Sequence, residues 1–587
     1  MPSFDRYDAI VIGGGHNGLV TAAYLARGGK KVCVLERRHV LGGCANSEEL
    51  WPGYQVSTAA YVVSLLETQI MADLRLAENG LKVLRRNPSS FTPLLDGRSL
   101  TLGPDMAANQ QEIAQFSKAD AEAYPQYCQQ LERIAQVVEP IMQRPATSPL
   151  PMATSWRSRS FTSKLKDSAN LFNLYQSLGE LGEDLPAAMD LLMGAARPIL
   201  ENRFESEVLR ATLGTDAIIG SFQSLSAPGS AYVLLHHVMG KAGGERGVWG
   251  YVQGGMGALA DSLAAVCQSL SVDIYRESEV RRVLVEEGKV VGVTLADGRL
   301  IEAPVVASSV DANLTFNRFV KPENLPAPFL DSVNRIDYSS ASMKINLALS
   351  ELPNFTCKKS EDVAPHHHGT IHISPTVGYI ERAYADAVAG WPSTEPVLEI
   401  TLPTSLDSTI APEGKHLMNI FVQFAPYQLA DGKHWDDIKE DFADRCIQLL
   451  SRYAPNVPDA IEHRQVLSPL DLEREFGLTG GNIMQGAMSP NQLFFNRPVT
   501  GWSDHRTPLE GLYLCGAASH PGGGVMGTCG RNAATAILKD HYARPELACL
   551  SCFRDLTSFR HRPLTLDDHS GSSLVEYEWF FCEGTLV

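Results

Sequence analysis

Apolar runs of four or five residues, broken by glycine, dominate the start of the chain. Ala9–Ile12 is β-branched and carries no polar position, the pattern of a strand buried on both faces of a parallel sheet. Lys31 to Leu35 repeats it. Between them, Leu19 to Ala26 is built of small and apolar residues at helical spacing, so the opening reads strand, helix, strand. The periodicity then lengthens. Asp105 to about Gln143 is a polar helical region, and helical spacing returns at Phe161 to Ala196, Phe204 to Leu213 and Ala231 to Met239. Arg144 to Ser160, rich in Pro, Ser and Arg, reads as a loop or linker.

Strand patterns fill most of the remainder. From Lys82 to Leu102 short strands alternate with breakers at Pro88, Pro93 and Asp96-Gly97. Gly254-Gly255-Met256-Gly257 opens a helix to about Ser269, followed by strands at Val272 to Tyr275, Val280 to Val285 and Val290 to Leu295. Asp297-Gly298 then turns the chain into Arg299 to Val306. Ser342 to Leu349, Val397 to Leu402 and Leu417 to Phe424 alternate and predict an antiparallel sheet in a second domain. Trp435 to Tyr453 is an amphipathic helix with acidic faces, Gly511 to Leu514 a short buried strand, and beyond Arg544 periodicity is lost.

The predicted fold class is α/β, in more than one domain, with a tail at 545–587 where periodicity is lost.

Length and charge narrow the function classes. A chain of 587 residues is too long for one compact core. The net charge of -17 argues against nucleic acid and against electrostatic attachment to anionic lipid. Eleven scattered cysteines do not form a secreted disulfide framework. The first strand begins by residue 9, and no apolar run is long enough to span a bilayer. The expectation is a soluble intracellular protein, cytoplasmic in a prokaryote or in the mitochondrial matrix of a eukaryote.

The chemistry sits in glycine. Gly13-x-Gly15-x-x-Gly18 follows the first strand at once and opens the helix. Gly13 permits the tight turn, Gly15 lets backbone N–H groups approach a pyrophosphate, and Gly18 lets helix and sheet pack. Glu36 ends the second strand, eighteen residues beyond Gly18, where its carboxylate accepts hydrogen bonds from ribose hydroxyls. Arg37 follows, and Gly42-Gly43 suits a close backbone approach to a large cofactor. This stretch alone does not separate FAD from a nicotinamide. The loop at 254–257 lacks a third glycine at the right spacing, so no second dinucleotide domain is visible. Near the end, Cys515-Gly516 closes a strand, and His520-Pro521-Gly522-Gly523-Gly524-Val525-Met526-Gly527 leads into a helix. A glycine loop at a helix N-terminus holds the far end of a long cofactor and stabilises charge on a reduced ring. Two such clusters at opposite ends of the chain favour FAD.

Other residues carry weaker signals. Tyr54, Ser57 and Ser64 line a pocket or belong to the core, and the pattern does not decide. His236 and His237 are neighbours on a helix and diverge by roughly 100°, so core and surface placement is expected and not a shared metal. His366-His367-His368 reads as an exposed loop, with no Cys or acid cluster to complete a metal site. No metal is expected. Cys549 and Cys552 lie in the tail and read as incidental. Disulfide reductase chemistry needs two cysteines four residues apart beside the flavin, but Cys44 is alone and position 49 is Glu49.

Residues 7–43, VQGGMGAL at 252–259 and GLYLCG to HPGGGVMG at 511–527 carry a family resemblance. With ERRHVLGG (36–43), SAYVLLHHVMG (230–240) and LEREFGLTGGNI (472–483), the chain from about 5 to 540 resembles the phytoene desaturase-like FAD oxidoreductases. The resemblance implies a Rossmann-type FAD-binding domain (glutathione reductase-like, three-layer) assembled from 1–104, 240–316 and 505–544, with an inserted α+β substrate domain at 105–239 and 317–504. It implies non-covalent FAD, with Gly13, Gly15 and Gly18 at the pyrophosphate and Glu36 at the adenosine ribose. It implies Gly42 and Gly43 at the cofactor border and Val280 near the adenine. Gly516 is implied at the second phosphate region, and Gly524, Val525, Met526 and Gly527 at the ring. Two positions depart: Cys44 stands where amine oxidase-like relatives carry Arg, and Ala517 where many flavoproteins carry Asp. The expected activity is two-electron hydride chemistry on an apolar small molecule, desaturation or saturation. Peripheral membrane contact is expected if the substrate is apolar. His520, beside the flavin-side loop, is the first candidate acid or base, and Arg531 either stabilises ring charge or caps a helix. The alternative is an FAD-binding regulator or scaffold, with a protein partner and little turnover.

Overall fold

The computed structural model describes residues 6–146, 172, 174–242 and 245–542. Most of the linker at 144–160, much of the helical pattern at 161–196, and the tail with Cys549 and Cys552 lie outside the described residues. Residues 1–540 form one compact unit, and 541–587 separate from it.

Five short strands form an all-parallel sheet in the order Asp273–Tyr275, Val32–Leu35, Ala9–Ile12, Val306–Ser308, Leu512–Leu514. Their register aligns the carboxyl ends: Ile12 pairs with Leu35 and with Ser308, Leu35 with Tyr275, and Ser308 with Leu514. Gly13, Glu36, Ser309 and Cys515 therefore emerge along one edge, where ligands of open parallel sheets bind. The helix His16–Arg27 starts three residues earlier than its apolar pattern and packs almost wholly buried. Gly18 makes that approach possible, because a Cβ there would stand 2.1 Å from the Gly13 carbonyl oxygen. The C-terminal helix Thr528–Tyr542 crosses equally close, with Thr21 Oγ1 donating to the Gly530 carbonyl at 3.2 Å.

A second sheet has seven strands in the order Ile461–Leu467, Ser342–Leu349, His416–Gln423, Val397–Thr401, Thr370–Ile373, Ser90–Pro93, Ser99–Leu102. It is antiparallel except between Thr370–Ile373 and Ser90–Pro93. The last two strands correct the boundary at 104: they belong to this sheet and not to the first. Their hairpin is local and legible, but their sheet partner lies far along the chain, where no pairing signal is written.

The alternation in Ser342–Leu349 predicts one buried face, yet every position is buried. Met343, Ile345, Leu347 and Leu349 pack with Trp435 and Phe442 of the helix Trp435–Ser451. Lys344 and Asn346 face the other way, and Asn346 Nδ2 donates to the Thr58 carbonyl at 3.1 Å. The helices Lys118–Met142, Leu185–Met193, Glu207–Thr215 and Ser230–Val238 share a third apolar cluster. Ser117 Oγ caps the first of these by accepting from the Asp120 N–H at 3.0 Å. Among the described residues no helix is long and apolar enough to cross a membrane.

The histidine run is not an exposed loop. His366 and His367 are 1% and 0% exposed. His367 Nδ1 accepts from the Ala364 N–H at 3.1 Å, which fixes the proton on Nε2 for the Pro353 carbonyl at 3.2 Å. His366 packs against Phe91 and Phe355 as an aromatic ring. Neither His236 nor His237 reaches the outer surface: His236 Nε2 lies 3.1 Å from the Gly523 carbonyl, and His237 stacks on Trp249. Among the described residues no cluster of His, Cys, Asp or Glu could hold a metal ion.

Candidate cofactor and substrate site

A single cavity of about 1530 Å³ runs from the carboxyl edge of the parallel sheet to the space between the second sheet and the helices. Gly13, Gly15, Glu36, Gly43, Val280 and Gly524 wall one end. Tyr127, Leu131, Leu213, Ile219, Leu234 and Trp249 wall the other.

The first end is a glycine cradle. Gly13 turns at φ +94°, and Gly42 and Gly43 at +107° and +58°, conformations that L side chains rarely adopt. The Gly42 N–H donates to the Gly14 carbonyl at 2.8 Å, which draws the two glycine loops together. A Cβ on Gly15 would meet only Gly42 O at 3.8 Å and Gly43 Cα at 4.0 Å, so a side chain there would project into the slot. The helix His16–Arg27 points its N-terminus at this slot, and its first backbone N–H groups favour an anion. The residues present fit a dinucleotide pyrophosphate.

Glu36 is buried and already oriented. Its Oε2 accepts from the Gly14 N–H and its Oε1 from the Arg38 N–H, both at 2.8 Å. Each oxygen keeps a second lone pair. Arg37 lines the cavity and donates through Nη2 to the Arg474 carbonyl at 3.0 Å and to the Glu475 carbonyl, which ties it to the helix Pro469–Phe476. Val280 lines the wall at the start of its strand.

Of the C-terminal cluster, Gly524 and Val525 reach the wall, and Ala517 joins them. Gly516 does not. A Cβ there would lie 2.1 Å from the Ser309 carbonyl oxygen, so its task is the close packing of two strand-end loops. Met526 and Gly527 lie outside the wall as well: the Met526 carbonyl accepts from the Glu67 N–H, and Gly527 packs on Ile70. Gly18 packs helix on strand and stays behind the cradle. Arg531 pairs with Glu67 and donates to the Gln143 carbonyl at 2.9 Å, at the end of the helix Lys118–Met142. It caps that helix.

His520 is 1% exposed and outside the cavity wall, with burial pushing its pKa down to about 3. It is neutral at physiological pH and does not face the chamber, which removes it as the acid or base. Cys44 lines the cavity, but burial pushes its thiol up to about 12, so it is no thiolate nucleophile. Tyr54 and Ser57 sit outside the wall, and Ser64 sits in it.

In the cavity wall the sequence reading missed a polar cluster. Tyr61, Arg86, Asp216, Lys344, His372 and Glu399 all line the cavity. Tyr61 Oη donates to Glu399 Oε1 at 2.8 Å, and Arg86 Nη1 donates to Thr370 Oγ1 at 2.7 Å. Lys344 Nζ stands 3.5 Å from the centroid of the Tyr61 ring, and among the described residues it has no hydrogen-bond partner. Burial pushes the Glu399 carboxyl up and the Lys344 ammonium well down, and raises Asp216 to about 7. The one available signal was a lysine and an asparagine on the polar side of SMKINLAL, a side that alternation assigns to solvent.

Residues 18–538 match the family described as flavin containing amine oxidoreductase. Pyridine nucleotide-disulfide oxidoreductase domain-containing protein 2 of Mus musculus is 44% identical over 91% of this chain and 94% of its own. A limonene dehydrogenase polypeptide of Castellaniella defragrans is 25% identical over 92% and 96%. Phytoene desaturase of Cercospora nicotianae is more distant, at 23% over 89% and 88%. A solved structure of wild-type putrescine oxidase bound to putrescine shares the fold, with a TM-score of 0.55 at 16% identity over 92% of this chain and 100% of its own. The chain belongs to the flavin containing amine oxidoreductase family, and its cofactor is FAD.

Proposed function

We propose that the protein is an FAD-dependent oxidoreductase that moves a hydride between the flavin and a small molecule of largely apolar body. The observation that carries this reading is the single cavity, which joins a glycine cradle to a chamber whose wall is largely aromatic and aliphatic with one polar cluster. Limonene and phytoene, named for two relatives, are both apolar hydrocarbons, which supports a substrate of that character. The parallel sheet reads as a Rossmann-type, glutathione reductase-like domain, and the seven-stranded sheet with its helices as the substrate domain.

FAD supplies the two-electron acceptor. Gly13, Gly15 and the N-terminus of the first helix would hold the pyrophosphate, and Glu36 would accept from the adenosine ribose. Arg37, Gly42, Gly43 and Val280 would border the adenosine half, and Gly524 and Val525 the ring half. The chamber orients the substrate and excludes water. The test is anaerobic: fractions of an apolar metabolite extract are added to purified yellow protein and the flavin absorbance is followed. Bleaching by at least one fraction is expected. A scaffold that merely retains FAD gives no bleaching with any donor, and that result would overturn the reading.

A further inference from the structure

We propose that Tyr61 and Glu399 form a proton relay in the chamber, and that the substrate carries a hydroxyl on the carbon that gives up the hydride. The inference rests on the flavin reading above and adds the proton half of the reaction to it.

Position comes first. Tyr61 lies in the segment 59–65, which spans the two glycine clusters of the cradle. At one end the Ala60 N–H donates to the Cys44 carbonyl at 2.8 Å, directly after Gly42-Gly43. At the other, Leu65 packs against Gly524. Tyr61 therefore stands beside the cradle and lines the cavity.

Cost comes second. Glu399 is an acid in the buried strand Val397–Thr401, and Lys344, in the buried strand Ser342–Leu349, is a base whose nitrogen has no hydrogen-bond partner among the described residues. An apolar pair would pack there without any of these unmet demands. Groups kept at such cost in a cavity wall mark a site of chemistry.

The substrate hydroxyl proton passes to Tyr61 Oη while the Tyr61 hydrogen moves to Glu399 Oε1, leaving Glu399 as a carboxylic acid. The C–H hydrogen departs with its electron pair, for which FAD is the acceptor. The O–H and C–H bonds break, and a C=O bond forms. Lys344 acts as a positioning residue that closes one face of the Tyr61 ring. A hydroxyl suits this wall better than an ammonium does. Among the described residues Lys344 Nζ and Arg86 Nε already lack acceptors, and an ammonium brings only more donors. The other titratable groups around the pair are Arg86, Asp216, Tyr251 and His372, drawn from four different segments.

The experiment places 3-fluorotyrosine at position 61 of the full holoenzyme and follows its fluorine resonance against pH. A shift tracking a raised carboxyl is expected; it should vanish in Glu399→Gln and survive in Asp216→Asn. A resonance that ignores pH, or titrates unchanged in Glu399→Gln, overturns the relay. In parallel, Tyr61→Phe should slow anaerobic bleaching by the active extract fraction by about 100-fold or more, at unchanged FAD content. Glu399→Gln should flatten the pH profile of the rate. A wild-type rate in Tyr61→Phe overturns the relay, and an active fraction free of alcohols overturns the hydroxyl assignment. If no fraction bleaches the wild type, the flavin oxidation reading fails, while the fluorine titration still decides whether the pair shares a proton.

Discussion

Replacing Lys344 with Met should make the protein more stable, and more so at neutral than at alkaline pH. The side chain is 2% exposed, and its nitrogen has no hydrogen-bond partner among the described residues. An unsatisfied buried donor costs about 1–3 kcal/mol, and Met fills a similar volume without needing an acceptor. The loss is the contact with the Tyr61 ring at 3.5 Å. It lies near the low end of about 0.5–2 kcal/mol, because burial pushes the ammonium well down and favours the neutral amine. The net gain is about 1–2 kcal/mol. The sign of the pH dependence follows from the same displacement. A base with a depressed folded pKa binds fewer protons folded than unfolded, so its penalty appears as pH falls below the unfolded lysine value of about 10.4. Denaturant unfolding of wild type and Lys344→Met at about pH 7 and about pH 10.5 checks this. A Met variant less stable than wild type at neutral pH, or an advantage unchanged at the higher pH, refutes the reasoning.

Three further predictions rest on other parts of the structure. Gly15→Val should fold, since the nearest heavy atom to its Cβ is 3.8 Å away. It should purify colourless because the side chain fills the slot; retained flavin absorbance would contradict the cradle. Gly18→Ala puts a Cβ 2.1 Å from the Gly13 carbonyl oxygen and should destabilise by about 3 kcal/mol or more, read by denaturant unfolding. Asp216→Asn should gain on wild type as pH rises. The Asp216 carboxyl is raised from 3.8 to about 7 by burial, so wild type loses stability as pH climbs through that window. A stability difference that stays flat from about pH 4 to about pH 8 would contradict the buried placement.

Gly13, Gly15, Glu36, Gly42 and Gly43 share one cavity wall, and the glycine turns among them were legible because a tight turn and a close backbone approach are local demands. The C-terminal cluster was legible only as a cluster. Gly516 reads as a phosphate contact in sequence, and Met526 and Gly527 as ring contacts, yet they pack loop against loop and loop against helix. A glycine needed for packing and a glycine needed for a ligand are written alike. His520 misled for a related reason: nearness along the chain to a cofactor loop does not set the direction of a side chain.

The polar part of the chamber wall left only the lysine and asparagine of SMKINLAL as a signal. Tyr61, Arg86, Asp216, Lys344 and Glu399 come from five separate segments, each ordinary by itself. What the sequence determined was the run of strands and helices, the glycine turns and the class of cofactor, since these follow from backbone sterics and hydrophobic period. Only the tertiary structure decided which strands share a sheet, that the polar side of SMKINLAL is buried, and that an acid, a phenol and a base meet in one wall. Period records that a face is apolar or polar. It does not record what lies opposite that face, and there the chemistry of the chamber is made.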